Sequence, residues 1–139
     1  MKKIKVLFLC THNSARSQIA EGLLNALHGD RFEAVSAGTK PSQVNPFAIK
    51  ALLEIGIDIS AHHSKHVKEF IGKPMDIVVT VCDSAKEECP IFPFAKILIH
   101  RAFKDPSEEA GSDEIKLNAF RKTRDEIKHW LENEFITKY

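Results

Sequence analysis

Short apolar runs alternate with stretches of helical spacing along the whole chain. Lys5 to Leu9, Phe32 to Ala37, Asp76 to Val81 and Lys96 to His100 are the predicted strands. Between the first two, Ser17 to Leu27 carries Ile19, Leu23, Leu24 and Leu27 at helical spacing, and Gly29 is a stop. Between the second and third, Asn45 to Ile55 is a second helix, with Pro46 in its first turn and Ala48, Leu52 and Ile55 as its stripe. A shorter helix is expected over Lys65 to Phe70, ended by Gly72-Lys73-Pro74. From about Ser112 to Ile136 the residues Leu117, Phe120, Ile127, Trp130, Leu131 and Phe135 share one face, which predicts a long amphipathic closing helix.

Strands that alternate with helices specify an α/β domain with a parallel sheet and helices on both faces. Val78-Val79-Thr80-Val81 is β-branched throughout, the composition of a strand covered on both sides. No repeat, low-complexity tract or linker interrupts the pattern, so residues 1–139 are read as a single three-layer domain.

Composition narrows the partners. The 139 residues are 43% apolar and 28% charged with a net charge of +1, and basic residues are spread out. That balance gives no electrostatic reason to expect nucleic acid or an anionic membrane. Lys2, Lys3 and Lys5 before Val6 to Cys10 superficially resemble a secretion signal. The apolar run is shorter than the roughly 7–15 residues such a signal needs, and no small-residue cleavage site follows. Phe8-Leu9 likewise suit poorly a lipid-modified cysteine at position 10. No stretch approaches the roughly 20 apolar residues of a membrane helix. The expected location is the cytoplasm. Three cysteines, Cys10, Cys82 and Cys89, are an odd and widely spaced set, which argues against a secreted disulfide framework.

The chemistry concentrates behind the first strand, in Cys10-Thr11-His12-Asn13-Ser14-Ala15-Arg16-Ser17. Cys10 ends a strand and Ser17 begins a helix, so the loop between them can aim several backbone N–H groups and a helix N-terminus at one anion. Arg16 adds a fork that grips two oxygens of a phosphate-like group. These positive surroundings are expected to lower the Cys10 thiol pKa, with the Ser17 hydroxyl donating to the sulfur. The competing reading of Cys10 is a small buried apolar side chain at a strand end.

The segment Leu9 to Gln18, with Ala20-Glu21-Gly22 behind it, resembles the active-site loop shared by low-molecular-weight tyrosine phosphatases and thioredoxin-coupled arsenate reductases. Ser36-Ala37-Gly38, Gly56-Ile57-Asp58-Ile59-Ser60, Val79-Thr80-Val81-Cys82, Cys89-Pro90 and Asp105-Pro106 extend the resemblance over nearly the whole chain. It implies a four-stranded parallel sheet in order 2-1-3-4. In that order the first and third strands are neighbours, so Cys10 and Cys82 would both end at the crevice where open α/β sheets bind ligands. The resemblance also implies that Asp105 is the general acid, whereas an Asp-Pro pair alone is an ordinary turn.

Cys82 and Cys89 are seven positions apart. On a helix their Cα atoms would be about 10.5 Å apart along the axis, beyond the roughly 7 Å a disulfide allows. The intervening residues are therefore expected to unwind or loop out during turnover. A structural zinc site generally needs four grouped ligands at shorter spacing, and no second cysteine pair exists, so no metal is expected. His62, His63 and His66 are read as a solvated or hydrogen-bonded cluster. Some members of the resembled family bind potassium through residues matching Asn13, Glu21 and Ser36 plus an aspartate at the place of Lys65. A lysine there repels a cation, while its ammonium can fill the same role.

The expected function is reduction of arsenate to arsenite by a three-thiol relay. Cys10 is the nucleophile, and Thr11 to Ser17 cradle the oxyanion. Cys82 forms a transient Cys10–Cys82 disulfide, and Cys89 then forms Cys82–Cys89 for thioredoxin to reduce. No bound cofactor and a monomer are expected, with phosphate or sulfate as competing anions. The alternatives are a tyrosine phosphatase using Cys10, Arg16 and Asp105, and a non-catalytic oxyanion-binding or redox-sensing module. Against the phosphatase, Ser107-Glu108-Glu109 follows Asp105-Pro106 where aromatic residues would hold a phenol ring.

Overall fold

The computed structural model of the protein describes residues 2–83 and 95–139. Four strands, β1 (Ile4–Cys10), β2 (Phe32–Gly38), β3 (Met75–Thr80) and β4 (Ala95–His100), form one parallel sheet in the order β2-β1-β3-β4. This is the expected order. Five consecutive β1 residues, Val6 to Cys10, are buried, as are Ile77 to Thr80 of β3. Consecutive burial requires cover on both faces, because neighbouring strand residues point to opposite sides.

Three α-helices are described: α1 (Arg16–His28), α2 (Pro46–Leu53) and α3 (Asp113–Trp130). Asn45 caps α2 through its side chain on the Phe47 N–H at 2.9 Å, with Pro46 in the first turn. Ser112 caps α3 on the Ile115 N–H, ahead of Asp113 and Glu114 at the positive end of the helix dipole. Helix α1 packs on α2, α3 and the β1–β2 edge. Gly22 allows the close approach of α2, since a Cβ there would stand 2.8 Å from Ile59 Cγ2 and 2.9 Å from Leu52 Cδ1.

Four local expectations change. Leu27 is 40% exposed, because the buried face of α1 ends at Leu24. The next residue, Asn25, instead uses its side-chain amide to pair both backbone groups of Ala34 on the outer edge of β2. Ile55 is also exposed, since it lies beyond the end of α2. Lys65 to Phe70 is not a helix but one 3-10 turn, Val67–Glu69. The Gly38 N–H bonds the Lys65 carbonyl at 2.9 Å and Gly38 bridges His66, which draws residues 65–66 onto the β2 end in extended form. Finally, the closing helix passes into a π-helical turn at Leu131–Phe135, where the Ile136 N–H reaches back to the Leu131 carbonyl. The wider turn carries Phe135 into the core, with ring centroids 5.5 Å from Phe32, 5.4 Å from Trp130 and 5.2 Å from Tyr139.

Candidate functional site

The loop from Cys10 to Arg16 wraps the carboxyl end of β1 and runs into α1. Its carbonyls face outward: Thr11 accepts from Lys40 N–H at 2.8 Å, His12 from Ser42 at 3.1 Å and Ser14 from Asn45 at 2.9 Å. The Asn13 carbonyl accepts from Ser64 Oγ at 2.8 Å. In a trans peptide the N–H opposes the C=O, so the amides of His12 to Ala15 turn to the concave side. Asn13 has φ 51° and supplies the left-handed bend this reversal needs. Gly38 makes the close approach possible: a Cβ there would lie 2.5 Å from the Thr11 carbonyl oxygen and 2.9 Å from Asn13 N.

The nucleophile is held by a directed chain of hydrogen bonds. Asn13 Nδ2 donates to Ser17 Oγ at 2.8 Å and to Ser36 Oγ at 2.9 Å. Ser36 Oγ donates in turn to Glu21 Oε1 at 2.7 Å. Ser17 Oγ, which accepts from Asn13, lies 2.8 Å from Cys10 Sγ and can donate its proton to the sulfur when the thiol ionises. Asn13 Oδ1 is fixed in turn by the Lys65 N–H and Gln18 Nε2, both at 2.9 Å. Its amide therefore cannot flip without breaking two bonds.

One electrostatic expectation is reversed. The Cys10 thiol lies above its ordinary pKa because burial disfavours the charged sulfur. The Ser17 side chain and backbone N–H pull it down, the neighbouring Cys82 pushes it up, and Arg16 pulls it down. The loop thus contains the stabilising groups anticipated for a thiolate, but burial outweighs them.

Arg16 donates through Nη1 to the Phe103 carbonyl at 3.0 Å and faces Asp105 Oδ2 through Nη2 at 3.4 Å. Its Nε is buried and has no partner among the described residues. An orphaned guanidinium N–H beside a thiol and converging backbone amides is a donor in want of an acceptor. Asp105 caps the 3-10 turn Pro106–Glu108, with Oδ1 held by Ser107 N–H at 2.9 Å and Ser107 Oγ at 2.7 Å. Its other oxygen is left towards the cradle. Asp105 from the loop after β4 and Arg16 from α1 are thus brought together across the strand ends.

Cys82 follows β3, beside β1, and is buried. Its Sγ stands 3.6 Å from Thr11 Oγ1, and both Cys10 and Cys82 are free thiols. Cys89, Pro90 and, of the residues expected to unwind, 84–88 lie outside the described residues. Behind the loop, Lys65 Nζ stands 3.7 Å from Glu21 Oε1 and donates to the His63 carbonyl at 3.1 Å. The ammonium occupies the side of Glu21 that the resemblance associates with potassium. His62 Nδ1 meets Gln18 Oε1 at 3.0 Å and Glu21 Oε2 at 3.2 Å, and His66 caps its own turn, so these two histidines are hydrogen-bonded locally. Among the described residues no cluster of three His, Cys, Asp or Glu stands as a metal site.

Sequence reasoning missed two features. The Phe103 carbonyl orients Arg16, and no local signal marks a backbone acceptor. His100 bonds Thr80 and Asp83 on either side of Cys82; its strand-end position was visible, its partners were not.

Comparison with known proteins agrees with this geometry. A curated arsenate reductase of Halalkalibacterium halodurans is 45% identical over 127 residues, covering 91% of each chain. One from Bacillus subtilis is 42% identical over 122 residues, covering 88% of each. Among solved structures, an arsenate reductase in a phosphate-binding state superposes with a TM-score of 0.82 at 31% identity, over 96% of this chain and 98% of the other. A low molecular weight protein tyrosine phosphatase from T. tengcongensis superposes at 0.81 with 29% identity, over 99% and 100%. Residues 5–135 match the family described as low molecular weight phosphotyrosine protein phosphatase, and the chain belongs to that family.

Proposed function

We propose that the protein is an arsenate reductase working through Cys10, Cys82 and Cys89. The observation that carries this reading over simple phosphate-ester hydrolysis is the second thiol: Cys82 Sγ lies 3.6 Å from Thr11 Oγ1, beside the nucleophile loop. Hydrolysis requires only Cys10, Arg16 and Asp105; a buried free thiol at the neighbouring strand end suits attack on an adduct at Cys10.

Arsenate sits among the amides of residues 11–17 with Arg16 turned onto it. The Cys10 thiolate attacks arsenic(V), Asp105 protonates the departing oxygen, and water leaves as the S–As bond forms. Cys82 thiolate then attacks Cys10 sulfur. The S–As electron pair stays on arsenic, which leaves as arsenite, and Cys10–Cys82 is now a disulfide. Cys89 thiolate attacks Cys82, freeing Cys10 as thiolate and leaving Cys82–Cys89. A thioredoxin-type dithiol reduces that bond, and the protein works as a monomer in the cytoplasm. Burial disfavours the Cys10 thiolate, and the Ser17 hydroxyl and Arg16 are the groups that oppose it.

The test is arsenate-dependent NADPH oxidation with thioredoxin and its reductase, run beside aryl-phosphate hydrolysis. Cys82→Ser and Cys89→Ser are each expected to stop steady arsenate turnover. Parental arsenate rates in both variants would refute the relay. Vigorous aryl-phosphate hydrolysis without arsenate turnover would establish the phosphatase instead.

A further inference from the structure

We propose that His100 is a positioning residue that clamps the chain on both flanks of Cys82 and so favours the first thiol exchange over the second. This rests on the relay reading above. Backbone pairing between β3 and β4 continues past the strand ends, with Arg101 N–H on the Thr80 carbonyl at 2.9 Å and Phe103 N–H on the Val81 carbonyl at 3.0 Å. These contacts stop one residue short of Cys82, and from there a side chain takes over. His100, which pairs in register with Thr80, places Nδ1 2.7 Å from Thr80 Oγ1 and Nε2 2.8 Å from Asp83 Oδ1.

The imidazole therefore bridges the residue two before Cys82 and the residue one after it. The two ends differ in kind. Thr80 is buried and belongs to the sheet, whereas the Asp83 side chain is 81% exposed. Burial does not hold the Asp83 side chain against the strand end; among the described residues its partner is the imidazole. Exposed contacts of this type are individually weak. A weak, directional tether suits a residue that must be fixed at one stage and free at the next.

Attack on Cys10 requires Cys82 at the strand end, beside Thr11. The second exchange takes Cys82 sulfur to a different partner, Cys89, and Asp83 is the first residue of the chain that leads to it. With the clamp closed, Cys82 sulfur faces the nucleophile loop; with Asp83 released, it is free to meet Cys89. Nε2 carries the proton donated to Asp83, and Thr80 Oγ1 donates to Nδ1 of the neutral ring or accepts from it when the ring is protonated.

The experiment isolates the first exchange. In a Cys89→Ser background the reaction stops after one arsenite per protein with Cys10–Cys82 formed, so rapid mixing with arsenate and acid quenching gives the rate of that disulfide. Adding His100→Ala or Asp83→Ala is expected to slow it about 10-fold. Adding both is expected to be no slower than either alone, because they remove the same bridge. His100→Gln, which keeps an amide within reach of Asp83, is expected to recover part of the rate. Affinity for inorganic phosphate, measured by calorimetry, should stay at the parental value throughout, since the cradle is separate from the clamp. Unchanged disulfide formation in His100→Ala, multiplicative losses in the double variant, or a parallel fall in phosphate affinity would each overturn the assignment. If the Cys89→Ser parent itself forms no Cys10–Cys82 disulfide and releases no arsenite, the relay is wrong and the clamp falls with it.

Discussion

Ser17→Ala is the most direct probe of how the loop manages its nucleophile. Ser17 Oγ accepts from Asn13 Nδ2 and lies 2.8 Å from Cys10 Sγ, to which it donates when the sulfur is charged. That donation favours the charged sulfur and opposes the upward push of burial on the Cys10 pKa. Removing it must raise the pKa further. A hydrogen bond to a charged group is worth about 1.5–3 kcal/mol. At about 1.36 kcal/mol per pH unit, the Cys10 ionisation midpoint should rise by about 1–2 units. The assay is the pH dependence of thiol alkylation in Cys82→Ser/Cys89→Ser protein, where Cys10 alone reacts. At pH 7 the variant should be alkylated roughly 10–100-fold more slowly. Alanine also strands one Asn13 proton in a fully buried place, so stability should fall by about 1–3 kcal/mol. Ser17→Thr keeps the hydroxyl and should stay near the parental midpoint, which separates ionisation from folding. An alkylation midpoint that stays put or falls in a folded Ser17→Ala protein would refute the directed chain.

Gly38→Ala places a Cβ 2.5 Å from the Thr11 carbonyl and should displace the cradle by enough to cost about 100-fold in arsenate turnover, read in the thioredoxin-coupled assay. Asp105→Asn should slow single-turnover arsenite release by roughly 10²–10⁴-fold while calorimetry still detects phosphate binding, since Arg16 loses only an opposing carboxylate. Hydrogen bonds from Arg121, joined by Arg124, hold the Glu54 carboxyl below its ordinary pKa. A lowered folded value stabilises above the unfolded pKa of about 4.3 and is lost as pH falls through the folded value. Glu54→Gln should therefore lower the urea midpoint at pH 7 and flatten its fall below pH 4.3; an unchanged acid limb would contradict the ion-pair assignment. Lys65→Asp removes the ammonium beside Glu21 and should make Tm rise with potassium more than with lithium, whereas the parent should not discriminate.

What the sequence settled by itself is what short-range pattern encodes. Strand and helix positions followed from apolar spacing, and the parallel sheet followed from their alternation. The nucleophile loop was legible because Cys10, Arg16 and Ser17 carry their chemistry within eight consecutive residues, and family resemblance then supplied the strand order. Tertiary structure decided what depends on neighbours distant in the chain. Lys65 and His66 are extended because the end of β2 binds them, which outweighs their local helical spacing. The π turn that buries Phe135 sets its ring against Phe8 and Phe32 of two distant strands. Cys10 is the sharpest case. Its residue neighbours promise a depressed pKa, but desolvation is a property of everything packed around the sulfur, and it prevails. Residue types can name a nucleophile; only packing sets how far it is from water, and that distance controls its charge.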